Sequence, residues 1–251
     1  MSVGSLYGHG FDVGQRGRLE ALGFSLRTQT SVYEGAQLCH FIDFATGPAL
    51  ELIEVLDSDD YESFVPAGMA PYCPGISLVV GDGSPAGLDD YERAFADLGP
   101  YRLRVPFPGA SGSAAPGWHY LNFARPVVPG TFIWLTAFDQ PKPPSPQHTE
   151  HANGVLGVIG LLFDLPHEGL IRLSHLASEP LAEGRTRIGS VNVTANAAVD
   201  PSGQFPLEAV VLRADSLDPV RRQGAVETEF AGRPALRIPT NPLAWDLVIT
   251  T

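Results

Sequence analysis

Two side chains in the stretch Leu38–Leu56 (LCHFIDFATGPALELIEVL) have the chemistry of a site: the imidazole of His40 and the carboxylate of Glu51. Ala45-Thr46-Gly47-Pro48 joins the two apolar, strand-like runs that carry them. A carboxylate flanked by leucines in such a run is costly to bury unless something compensates it. Imidazole and carboxylate together suit a divalent ion such as Fe, Mn, Ni or Zn, and the imidazole to set beside Glu51 for that purpose is His9. Without an ion, Glu51 shares its strand face with Ala49, Ile53 and Val55; burial there raises a carboxyl pKa and suits it to general-base work. Glu54 points to the other face and is left to solvent.

The elements that position these groups follow from period and punctuation. Ser5–Val13 alternates, so that Tyr7, His9, Phe11 and Val13 share one face of a strand. Leu19 and Leu22 at helical spacing follow, with Gly23 as a stop. Three strands come next, over Phe24–Val32, Leu38–Phe44 and Ala49–Leu56. This βαβββ pattern recurs, with strands at Gly75–Val80, Tyr101–Phe107, Trp118–Phe123 and Thr131–Phe138 and a helix at Leu88–Leu98. CHFIDF at Cys39–Phe44 returns as WHYLNF at Trp118–Phe123, placing His119 at 79 residues beyond His40. Repetition of that histidine also fits a purely structural role.

The expected fold is α+β, built from repeated βαβββ modules. Modules are expected at residues 1–66 and 67–139, a proline-rich linker at 140–154, and abbreviated copies over 155–251. His151 and Asn153, at the mouth of the next strand, either reach a pocket or make a turn. Trp118, Tyr120 and Trp134 either line a cavity or pack in the core.

Composition narrows the function classes. A net charge of −12 excludes the basic surface that nucleic acid or an anionic membrane needs. No apolar run approaches the roughly 18 residues of a membrane span. The start shows no secretion signal, and two cysteines without C-x-x-C spacing read as reduced thiols, a disulfide between them being the alternative, so the expectation is a cytoplasmic protein. A homodimer is neither required nor forbidden.

The phrase His40 to Leu56, the helix end Leu22-Gly23-Phe24 and the later His151-Ala152-Asn153-Gly154 resemble the vicinal oxygen chelate superfamily, the glyoxalase and extradiol dioxygenase group. Its glyoxalase-like subgroup commonly has proline after that histidine, where this chain has Ala152. The resemblance implies paired modules forming curved mixed sheets around a cavity that holds a divalent metal, with ligands from the first and last strands. On this chain those positions are His9 and Glu51, with His40 the nearest third ligand and Glu51 the catalytic group. In the second module the matches are Ser77 and Trp134, neither a good ligand. His119, Trp134, His151 and Asn153 are then the substrate-facing candidates, and no organic cofactor is implied. The activity implied is that of a metal-dependent lyase, isomerase or dioxygenase on a small oxygenated molecule. The alternative is a metal-free small-molecule binding protein of the same fold.

Overall fold

The computed structural model describes residues 1–9, 11–30, 37–57, 59, 74–81, 83–107, 115–140, 148–177, 179–197, 207–222, 225–240 and 245–251. Most of the proline-rich segment 141–147, and Cys73, lie outside the described residues, as does the side chain of His9. Among the described residues no helix is long and apolar enough to cross a membrane.

The first module runs β1 (Ser2–His9), α1 (Val13–Ala21), β2 (Arg27–Thr30), β3 (Gln37–Ile42) and β4 (Ala49–Val55). Asp12 starts α1 by accepting the Gln15 amide at 2.8 Å, and Gly23 (φ +86°) turns the chain out of it. The second module runs β5 (Gly75–Val79), α2 (Leu88–Ala94), β6 (Pro100–Pro106), β7 (Gly117–Phe123) and β8 (Phe132–Phe138). Together they make one eight-stranded sheet, ordered β2-β3-β4-β1-β5-β8-β7-β6. β1 and β5 pair antiparallel at its centre, while each runs parallel to the last strand of its own module.

The second half repeats this plan: β9 (Val155–Leu165), α3 (His167–Leu176), β10 (Arg185–Ile188), β11 (Val191–Ala197), β12 (Leu207–Ala214), α4 (Asp218–Arg221), β13 (Val226–Phe230), β14 (Arg233–Ile238) and β15 (Asp246–Thr250). The sheet order is β10-β11-β9-β12-β15-β14-β13, again with an antiparallel central pair, β9 and β12, and two parallel flanks. Four units thus share one topology, the third showing one strand fewer among the described residues. The fold is α+β, with βαβββ modules in two curved mixed sheets.

Strand alternation divides each sheet into two faces. On the helix-bearing face of the first sheet, Leu6, Ile42, Leu50, Leu52, Leu78 and Leu135 belong to one core with Leu19 of α1 and with Leu22, which follows that helix. That core continues into the second sheet through Leu161, Phe163, Val210 and Leu247. Each helix-free face carries a separate small apolar cluster.

The sheets are joined where Thr46 and Gly157 form a parallel bridge, the Thr46 amide donating to the Leu156 carbonyl at 3.1 Å. A Cβ at residue 157 would stand 2.1 Å from the Thr46 carbonyl oxygen. Gly157→Ala is therefore expected to lower stability by about 3 kcal/mol, because backbone must move. Gly17→Ala, on the exposed side of α1 with open space around it, should instead stabilise by about 0.5–1 kcal/mol. Urea midpoints of the two variants against wild type check both signs.

Candidate functional site

Register decides which groups meet Glu51. In the parallel β1·β4 pair Tyr7 stands opposite Glu51, and His9 pairs two residues further on, with Ile53. On the other side, β3 places Phe41 opposite Glu51 and Cys39 opposite Ile53. Tyr7, Phe41 and Val55 pack on the Cys39–Ile53 cluster, so these residues share the helix-free face. Glu51 is buried there at 8% exposure, and Cys39 is buried beside it.

The Tyr7 hydroxyl hydrogen-bonds Glu51, and its pKa is pushed well above the usual phenol value, first by burial and then by the charges of Glu51 and Tyr120. The phenol therefore stays protonated and donates to the carboxylate, compensating part of the burial cost. Trp134 completes this end of the face: its ring lies edge-on to Tyr7 at 4.4 Å and tilted against Phe132 at 4.8 Å. Glycine at position 75 makes the first contact possible. A Cβ there would meet the Trp134 ring and Tyr7 Cβ, each at 3.0 Å.

Register also corrects the module match. If His40 and His119 are equivalent, so are their cross-strand partners Leu52 and Ala137, and Glu51 corresponds to Thr136, not Trp134. The parallel flank then equates Tyr7 with Val79, so the position of His9 falls two residues beyond Val79 and not at Ser77. Ser77 and Thr136 share a hydrogen bond at 2.9 Å. The second module thus holds hydroxyls and an isopropyl group around the position of the Tyr7–Glu51 pair.

His40 does not join Glu51. It pairs with Leu52 and so faces the helices, where its Nε2 meets Glu54 at 2.9 Å and its Nδ1 meets Thr28 Oγ1 at 3.0 Å. Thr28 in turn accepts from Arg16 of α1 at 3.0 Å. His40 is thus a buried link between helix and sheet and not a third ligand beside Glu51, and Glu54 is its partner instead of a solvated acid. His119 repeats the device. It lies on the face opposite Trp134 and meets Asp139 at 2.6 Å, the acid two residues beyond its own cross-strand partner, as Glu54 is for His40. Its hydrogen bond and that of Arg104 hold the Asp139 carboxyl below the usual range.

His151 and Asn153 are likewise joints and not pocket residues. The Ser25 amide donates to His151 Nδ1 at 3.1 Å, so the ring proton is on Nε2, which donates to the Asp43 carbonyl at 2.9 Å. Phe24 and Phe44 stand edge-on to the imidazole. Asn153, 1% exposed, donates to the Leu22 carbonyl at the end of α1 and accepts the Val155 amide at the start of β9.

No family model and no curated protein matches the chain. Solved structures do. The Mn(II)-bound glyoxalase from Novosphingobium aromaticivorans superposes with a TM-score of 0.56 at 10% identity, over 99% of this chain and 81% of that one. 2,2′,3-Trihydroxybiphenyl 1,2-dioxygenase from Sphingomonas wittichii strain RW1 gives 0.53 at 12% identity, over 99% and 89%. Homoprotocatechuate 2,3-dioxygenase from Arthrobacter globiformis gives 0.53 at 12% identity, over 100% and 79%. The fold is of the vicinal oxygen chelate type. At these identities the likeness concerns architecture, and chemistry has to be argued from the residues.

A metal was tested against the donors that this fold places. Among the described residues no group of three or more His, Cys, Asp or Glu side chains could hold an ion. The first-sheet face offers Glu51 with the Tyr7 phenol, and His40 is on the far side, so the described donors do not make a ligand set. Tyr7 is the site residue that the sequence reading passed over. Its signal was available: it shares the face of His9, two residues earlier.

Burial pulls the His151 pKa below 6.5, against the opposing pull of Asp43. A depressed histidine binds fewer protons folded than unfolded, so its contribution is complete above about pH 6.5 and is lost as pH falls through the folded value. Urea midpoints should therefore drop between about pH 7.5 and about pH 5.5 by more in wild type than in His151→Gln, which cannot titrate. Equal drops would remove His151 as the cause.

Proposed function

We propose that this protein binds a small, largely apolar molecule on the helix-free face of the first sheet, without a protein-held metal. Tyr7, Phe41 and Trp134 supply aromatic surface, and Glu51 is the buried acceptor for a hydroxyl or amine hydrogen of the ligand. The observation that carries this reading is the Tyr7–Glu51 pair. A carboxylate held by a protonated phenol on an aromatic face is a polar anchor within an apolar cradle. The same pair could accept a proton from a bound ligand, Tyr7 keeping the carboxylate oriented.

A second reading keeps the chemistry of the neighbours. The matched structures include a Mn(II)-bound glyoxalase and two dioxygenases, and His9 stands in β1 two residues beyond Tyr7. In that reading Fe, Mn, Ni or Zn is held by His9 and Glu51, with remaining positions filled by adjacent oxygens of a substrate, and the protein is a lyase, isomerase or dioxygenase. It requires Glu51 to exchange its phenol partner for the ion.

Elemental analysis of protein purified without affinity tag or chelator separates the two, alongside a thermal-shift and tryptophan-fluorescence screen of small aromatic compounds. Substoichiometric metal is expected, with ligands whose binding weakens about tenfold in Glu51→Gln, a near-isosteric change. One equivalent of metal in wild type that disappears in Glu51→Gln would replace this reading by the metal-dependent one. Ligands that bind both proteins alike would remove Glu51 from the site.

A further inference from the structure

The arginines of this acidic chain are mostly matched to carboxylates. Arg16, Arg27, Arg102, Arg104, Arg172 and Arg237 each reach an Asp or Glu. With 28 acidic residues against 16 basic ones, carboxylates are in excess. Two arginines on the helix-free face of the second sheet stand outside that matching.

The face is defined by Ala209 and Val211 of β12, Ala235 of β14 and Val248 of β15, which form an apolar cluster separate from the main core. Half-buried Leu162 and Phe230 flank it. Arg213 lies two residues beyond Val211 and pairs with Thr250, which pairs with Ala235. Arg233 lies two residues before Ala235. By alternation both arginines share the apolar face, at one end of it. Both are exposed, and neither meets a carboxylate among the described residues; the one bond given for Arg233 is to the Thr251 carbonyl oxygen at 3.4 Å. At the other end Arg237 is held between Glu208 at 2.9 Å and Asp246 at 2.6 Å, so its charge is already answered.

We infer that this face is a second binding site, for a small amphipathic carboxylate whose apolar body lies on the floor and whose carboxylate meets Arg213 and Arg233. Shape and charge carry the assignment together. Small side chains leave room above the floor for a narrow apolar body. Guanidinium groups are the donors best matched to a carboxylate, and they stand at one end of that floor only. A cation would meet like charge at this end, and a neutral molecule would leave both guanidinium groups unused. The site is independent of Glu51, which belongs to the other sheet.

Titration calorimetry at low ionic strength with sodium octanoate, octan-1-ol and octylamine tests it. Octanoate should bind wild type at least about tenfold more tightly than either size-matched analogue, and Arg213→Gln and Arg233→Gln should each weaken it about tenfold. Glu51→Gln should leave it unchanged. Both arginines are exposed, so the variants should melt like wild type, which circular dichroism checks. Equal affinity for octanoate and octan-1-ol, no measurable octanoate binding, or unchanged binding in the double variant would overturn the inference. Loss of octanoate binding in Glu51→Gln would also overturn it, by moving the ligand to the first sheet.

Discussion

The parallel pairing of β1 on β4 is the constraint from which the first-sheet site follows. Side chains alternate with a period of two, so a slip of one residue would exchange the faces of a whole strand. The register is held by the residues facing the helices. Leu6, Leu50 and Leu52 are almost wholly buried in the core that also holds Leu19 of α1, and reversing a strand would expose leucines and drive polar groups into that core. The ladder is extended by the Phe11 amide, which donates to the Ile53 carbonyl at 3.1 Å. Once Leu6 is opposite Leu50, Tyr7 has to be opposite Glu51. The apolar face thus fixes the polar one, and the phenol arrives where the carboxylate needs a donor.

The same logic explains the duplicated histidines. His40 and His119 sit at equivalent ladder positions, and each meets an acid on or just beyond the last strand of its module, Glu54 or Asp139. A histidine facing the helices needs a partner, and the residue two places beyond its cross-strand neighbour is within reach on the same face. Both modules keep the pair, whereas the position of Glu51 becomes Thr136 in the second. What the modules share is the joint, and what they do not share is the site.

That contrast marks the limit of legibility in the sequence. The βαβββ plan was readable because alternation, the Gly23 stop and the recurrence of His-aromatic-aliphatic-Asp/Asn-Phe are local signals. Faces of single strands were readable too: Glu51 and Glu54 were assigned opposite sides, as observed. Register between strands was not, because it depends on contacts across dozens of residues. For that reason His9 was set opposite Glu51 where Tyr7 stands, and Trp134 was matched to Glu51 where Thr136 belongs. His151 and Asn153 were ambiguous for a similar reason. Their partners, Ser25, Asp43 and Leu22, are more than a hundred residues away, and no local pattern points to them.

Resemblance to a glyoxalase and to dioxygenases at 10–12% identity therefore constrains the scaffold more than the chemistry. The helix-bearing faces are committed to one continuous core, where a changed side chain costs stability in both sheets. The helix-free faces carry only small clusters and are free to diverge between modules and between sheets. Here they have diverged in opposite electrostatic senses. The first surrounds a buried carboxylate with aromatic rings, and the second ends a floor of small aliphatic side chains with two exposed guanidinium groups. A single ligand cannot satisfy both faces, since a group that donates to Glu51 is not one that accepts from Arg213. If both faces bind, they bind different molecules.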